Sequence, residues 1–155
     1  MSSRERLEAF LKERGAAGEI ISFSGSVHTV AEAAKEAGVG EGDLIKTVVV
    51  LAENVPIIAI IPGDKRLDLG KFRLLCGTGK VRIASPEEVL ETTGYPAGGV
   101  PPVFEGFKGL KILIDPLVLG RELVLGGGGD SQSLLRISPR EIVRISGAVE
   151  ADISA

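Results

Sequence analysis

The chain offers few side chains able to do chemistry. Among 155 residues there is one cysteine, Cys76, and one histidine, His28. A lone cysteine forms no internal disulfide, and one Cys with one His cannot supply the usual ligands of a zinc site, so no metal and no cofactor is expected. A Cys-His or Ser-His mechanism would have to run through His28, and no serine or cysteine stands in a recognisable nucleophile motif. Cys76, in LLCGTG at the end of an apolar helical face, reads as a small buried hydrophobe. Lys46 is different, because it interrupts the apolar run LIKTVVVLA. Its ammonium must either snorkel out at the strand end or be held with partners in a pocket, as a cation beside a site.

The remaining chemical signal lies in the backbone. Glycine accounts for 21 residues, roughly twice the usual share, and it concentrates at Gly94 to Gly99 and Gly126 to Gly129. The first cluster belongs to TTGYPAGGVPP (92–102), where prolines restrict φ and glycines open conformations closed to other residues. Such a stretch specifies a shaped loop. Each cluster is a candidate site loop, and each is also readable as an ordinary tight connection.

The segments between these loops alternate. Ser2 with Glu5 and Thr29 with Glu32 form capping boxes, predicting an amphipathic helix over 3–14 that stops at Gly15 and a second helix, VAEAAKEA, closed by Gly38. EIISF (19–23) reads as a short strand. LIKTVVVLA (44–52) and PIIAIIP (56–62), separated by Glu53, Asn54 and Val55, read as a hairpin buried on both faces at the centre of the sheet. Leu67 to Leu75 reads as a helix and KVRIA (80–84) as a strand. Ser85-Pro86-Glu87-Glu88 and Ser138-Pro139-Arg140-Glu141 mark two further helix starts, with ends near Gly94 and Gly147. KILID (111–115), ELVLG (122–126) and SLLRI (133–137) complete the strands. The expected fold is α+β: a curved, mixed, mainly antiparallel sheet surrounded by short helices, in a single domain over residues 1–155.

Composition bounds the partners. The formal net charge of −3 argues against coating nucleic acid by bulk electrostatics. One stretch is nevertheless basic: Lys65, Arg66, Lys71, Arg73, Lys80 and Arg82 face Asp68 alone, either as a solvated helix face or as a docking patch for a phosphate-bearing partner. The charged N-terminus lacks a signal-peptide core and no apolar run is long enough to span a bilayer, so a cytoplasmic protein with no membrane partner is expected.

Taken in order, GDLIKTVVVL, GDKRLDLGKF, KVRIASPEEVLETTGYPAGGVPP, KILIDPLVL and LVLGGGGDSQSLLRISPREIVRISGA resemble the YbaK family of aminoacyl-tRNA deacylases. That family includes the editing domain inserted in bacterial-type prolyl-tRNA synthetases and its free-standing relatives. The resemblance runs from about residue 27 to the C-terminus. It implies hydrolysis of the ester joining a wrong, small amino acid such as alanine, cysteine or serine to the 3′-terminal adenosine of a tRNA. Synthetase pockets cannot reject a smaller side chain by more than a few kcal/mol, so a second site must remove what the first admits. With no synthetase catalytic domain in the chain, the implied action is in trans.

The resemblance also implies roles. Lys46 falls on the family's strand lysine and is expected to contact a terminal phosphate or the ester, with Thr47 on the same group. Water is the expected nucleophile, and backbone N–H groups, with Gly128 and Gly129 foremost, are expected to stabilise charge on the carbonyl oxygen. Gly98, Gly99 and Val100 are expected to approach the substrate on one side and Gly127 on the other, with His28 near the amino-acid pocket. Tyr95 either packs its loop down or stacks on the terminal adenine. Asp130 stands where some relatives carry a lysine, and orients water, binds the substrate's ammonium or caps the turn. Lys65, Arg66, Lys71 and Arg73 are the expected tRNA contacts. The expected partners are the aminoacylated tRNA 3′ end and an aminoacyl-tRNA synthetase, not DNA. The alternative is a non-catalytic module of the same fold that binds a tRNA end or a synthetase.

Overall fold

Helix starts are set by side chains that reach only three residues. In the computed structural model, which describes residues 1–155, Ser2 caps α1 (Ser3–Glu13), Thr29 caps α2 (Val30–Ala37) and Ser85 caps α4 (Pro86–Thr93), each in return donating its backbone N–H to the carboxylate of the glutamate at the third helical position. Asp68 caps α3 (Leu69–Cys76) and Ser138 caps α6 (Pro139–Ser146). The fourth helix ends at Gly94, whose φ of 80° turns the chain into the proline-glycine loop.

The strands are β1 (Gly18–Ser22), β2 (Ile45–Ala52), β3 (Val55–Pro62), β4 (Val81–Ile83), β5 (Lys111–Ile114), β6 (Val124–Gly127), β7 (Ser133–Ile137) and β8 (Val149–Glu150). They form two sheets, ordered β4-β2-β3-β5-β8 and β1-β7-β6. Four pairings are antiparallel; β3 with β5 and β5 with β8 are parallel. The curved, mainly antiparallel sheet is thus divided, and a single bridge between Leu44 and Leu125 joins the halves. Glu53 and Asn54, both at positive φ, make a two-residue hairpin turn, so Val55 already belongs to β3.

Alternation along the central strands buries both faces. Ile45, Val49, Leu51, Ile58, Ile60, Ile112 and Ile114 join the main core with α1, α6 and the small sheet. Val50, Ala52, Ile57, Ala59, Ile61 and Leu113 join Phe72 of α3 and Ile153 on the other face. Fully buried side chains such as Ile58 and Ile60 each contribute about 1.5–3 kcal/mol.

Two elements are not legible in the residue pattern. The single turn α5 (Pro116–Leu119) starts at Asp115, which leaves the expected strand to become its cap, and β8 is only two residues long. Asp115 is buried and accepts from the N–H groups of Leu117 (2.9 Å) and Ile153 (3.2 Å) and from Ser154 Oγ (2.8 Å). The C-terminal segment so held exchanges two backbone bonds between Ala155 and Arg66, and Ile153 accepts from the N–H of Asp68. That fixes the turn after β3, which the candidate site uses.

Candidate active site

The cavity opens where two neighbouring strands part. Backbone bonding at Leu44 and Gly63 sets the β2-β3 ladder so that Lys46 and Val48 point their N–H and C=O groups at β3, while Ile45, Thr47 and Val49 point theirs the other way. The carbonyl of Val49 meets the N–H of Ala84 beside β4. Likewise, bonding of Gly128 to Ser133 leaves Leu125 and Gly127 facing away from β7, toward β2. Beyond the Leu44–Leu125 bridge the two strands diverge. The gap is a cavity of roughly 280 Å³.

Its polar rim carries Lys46, Thr47, His28 and Thr29, and its loop wall Gly98, Val100, Gly126 and Gly127. Val27, Val30, Ala33, Leu44, Ile45, Val48, Leu125 and Leu134 form the apolar remainder. Most of that apolar wall is a small core of its own beneath α2. The resemblance set an amino-acid pocket beside His28, but the apolar residues that wall it were not singled out in the sequence, where the alanine face of VAEAAKEA was their available signal.

Lys46 Nζ donates to the main-chain carbonyl of Lys65. Burial, and after it the nearby Arg66 guanidinium, push its pKa below the ordinary lysine value, opposed by Asp64 and Glu41. Thr47 Oγ1 is buried without any hydrogen-bond partner, an arrangement that ordinarily costs about 1–3 kcal/mol. The exposed side chain of His28 lines the mouth, packed where a side chain on Gly98 would stand, at 2.5 Å. Gly98 has φ 84° in the Pro96–Gly99 turn, and the N–H groups of Gly98 and Val100 donate to no other group of the chain.

Other expected site residues turn out to be used by the fold. The N–H of Gly128 donates to Ser133 (3.1 Å) and that of Gly129 to Gly99 (2.9 Å), so neither is free to receive an oxyanion. Gly99 is buried and packs on the backbone of Gly129 and Asp130, not on the cavity. A side chain at Gly127 would stand 2.3 Å from the Val100 carbonyl, and one at Gly128 2.5 Å from Ser133. At both positions the absent side chain admits neighbouring backbone, and of the two only Gly127 also lines the cavity. Asp130 caps its turn through the N–H of Gln132 (2.9 Å) and lies outside the cavity lining.

Tyr95 is no stacking platform. It is fully buried, meets Phe104 edge-on and donates to Glu105 (3.0 Å). Burial, then the Glu105 carboxylate, raise its phenol pKa strongly. Of the basic residues, Lys65 and Arg66 are exposed beside Lys46, and Arg73 is exposed on α3. Lys71 is taken by Asp152 and the Ser154 carbonyl, both at 2.8 Å, as Arg82 is by Glu88. No three His, Cys, Asp or Glu side chains converge on a metal position, and no helix is long and apolar enough to cross a membrane.

Fold and site together define a small α+β domain with a small cavity lined by Lys46, Thr47 and the loop residues Gly98 and Val100, whose N–H groups have no acceptor in the chain. Residues 24–145 match the aminoacyl-tRNA editing domain, and the chain belongs to that YbaK-type family. It is 33% identical over 120 residues to a proline–tRNA ligase of Oleidesulfovibrio alaskensis, covering 77% of this chain and 21% of the ligase. A proline–tRNA ligase of Fervidobacterium nodosum is 31% identical over 106 residues, 68% of this chain and 18% of the ligase. The chain therefore spans about a fifth of the length of these relatives. Among solved structures, one provisionally described as a trans-editing enzyme for prolyl tRNA synthetase superposes with TM-score 0.89 at 35% identity, covering 100% of this chain and 98% of that one. The hypothetical protein APE2540 gives 0.88 at 41%, covering 97% and 99%.

Proposed function

We propose that this protein is an aminoacyl-tRNA deacylase that hydrolyses the ester of a small amino acid such as alanine, cysteine or serine wrongly attached to the tRNA for proline. The observation that carries the reading is the membership of the editing-domain family together with a cavity whose polar groups suit an ester and a phosphate. The proline tRNA is supported by the ligases it resembles, and action in trans by the whole-length likeness to the trans-editing structure. Residues 1–155 act as one editing domain in this reading, in the cytoplasm, where tRNAs are charged.

Lys46, with Lys65 and Arg66 beside it, holds the terminal phosphate or the ester as a cation. It is a poor general base while protonated, so its role is electrostatic and positional. Thr47 Oγ1 acquires its missing partner from the substrate or from the attacking water. The N–H groups of Gly98 and Val100 receive the negative charge that grows on the carbonyl oxygen as water adds, in place of those of Gly128 and Gly129. His28 screens the mouth.

The test is deacylation of a panel of correctly and wrongly charged tRNAs by the purified protein, with Lys46→Ala alongside. Selective release of one small amino acid, lost in the variant, is expected. Binding of aminoacyl-tRNA with no release from any of them would replace this reading with the non-catalytic module.

A further inference from the structure

The two loops of the cavity are both gripped from behind by α1, which precedes the stretch matched to the editing family. Ser3 Oγ donates to the Gly129 carbonyl at 2.6 Å. The first helical turn also fills the space left by that glycine: a side chain on Gly129 would stand 3.1 Å from Arg4 Cα. One turn on, Arg6 donates to the Gly94 carbonyl, pairs with Glu105 (3.2 Å) and lies 4.9 Å over the Tyr95 ring. Residues three apart share one side of a helix, so Ser3 and Arg6 reach the two loops from the same side. The loops are tied to each other by the bond from Gly129 N–H to the Gly99 carbonyl. Leu7, Phe10 and Leu11, all buried in the main core, give the helix a fixed seat.

We propose that Ser3 and Arg6 are positioning residues that set the separation of the Gly94–Val100 and Gly126–Gly129 loops. They thereby set where the N–H groups of Gly98 and Val100 stand relative to Lys46 and Thr47. Neither side chain lines the cavity; each acts through a loop carbonyl. Arg6 holds a carbonyl, a carboxylate and a ring face with one planar fork, which a lysine cannot reproduce. The effect on catalysis rests on the deacylase reading, whereas the effect on the loops does not.

The experiment uses the full chain with Ser3→Ala, Arg6→Lys and the double variant, and reads two things. Without substrate, amide hydrogen exchange at Gly99 and Gly129 is compared with that at Val50 and Ile58 in the central strands. Exchange at the loop amides should accelerate at least tenfold more than at the strands in the double variant; an equal change at all four would mean that α1 merely stabilises the fold, and overturns the proposal. With the tRNA substrate found active, kcat should fall at least tenfold in Arg6→Lys while KM stays within about threefold. An unchanged kcat with loosened loops also overturns it. Should wild type release nothing from any tRNA, the deacylase reading fails, and the exchange arm by itself upholds or removes the clamp. If the Arg6 variants do not fold, Ser3→Ala carries both arms.

Discussion

The ε-ammonium of Lys46, at the start of β2, donates to the main-chain carbonyl of Lys65, in the turn that follows β3. The bond holds a cation at the edge of the cavity instead of letting it leave along the strand. Lys46→Ala removes that cation and only one hydrogen bond, so deacylation should fall well over tenfold while the thermal midpoint moves by no more than a few degrees. Parallel loss of fold and activity in a melting experiment would make the lysine structural.

Burial, then Arg66, lower the pKa of Lys46, which gives a signed pH dependence. The charged form is lost as pH rises through the folded value, which lies below the unfolded one. Activity that needs the ammonium should therefore decline at a pH where an ordinary lysine is still protonated. In the same window the unfolded chain binds more protons, so this group's contribution to stability grows with pH. Rates corrected for spontaneous ester hydrolysis should show the alkaline decline in wild type and lose it in Lys46→Arg.

Thr47→Val separates stability from function. The hydroxyl it removes has no partner, so the variant should be as stable as wild type or more so, by up to about 1 kcal/mol. Its deacylation rate should drop about tenfold. Denaturant unfolding and single-turnover kinetics on one preparation check both signs.

Gly127→Ala places a methyl group 2.3 Å from the Val100 carbonyl, and backbone cannot rotate out of the way as a side chain can. A loss of about 1–3 kcal/mol is expected from overpacking, with deacylation down at least tenfold because the Val100 amide moves with its carbonyl. A crystal structure of the variant showing the 98–100 loop in place would refute this account.

Asp115→Ala leaves the N–H of Ile153 and the hydroxyl of Ser154 buried without an acceptor. A loss of about 2–4 kcal/mol is expected, lowering the thermal midpoint by roughly 5–15 °C. The C-terminal residues should also become sensitive to carboxypeptidase, which mass spectrometry would read.

The sequence by itself determined whatever depends on near neighbours. Ser2, Thr29 and Ser85 reach a glutamate three residues on, so their helices were legible at the start, and the β-branched hairpin announced a sheet buried on both faces. Lys46 was legible as an anomaly because a charge inside an apolar run has few outcomes. Only tertiary structure decided which candidate groups remain free. Tyr95 is covered because Arg6, Phe104 and Glu105 close around it, with Arg6 also bonded to Gly94 across 88 positions of sequence. Lys71 is neutralised by Asp152, 81 positions away. The N–H of Gly129 is consumed by Gly99, whereas those of Gly98 and Val100 are not. A hydrogen-bonding group has the same identity in the sequence whether it is used or free, and its use is settled by which distant segment the fold brings within 3 Å.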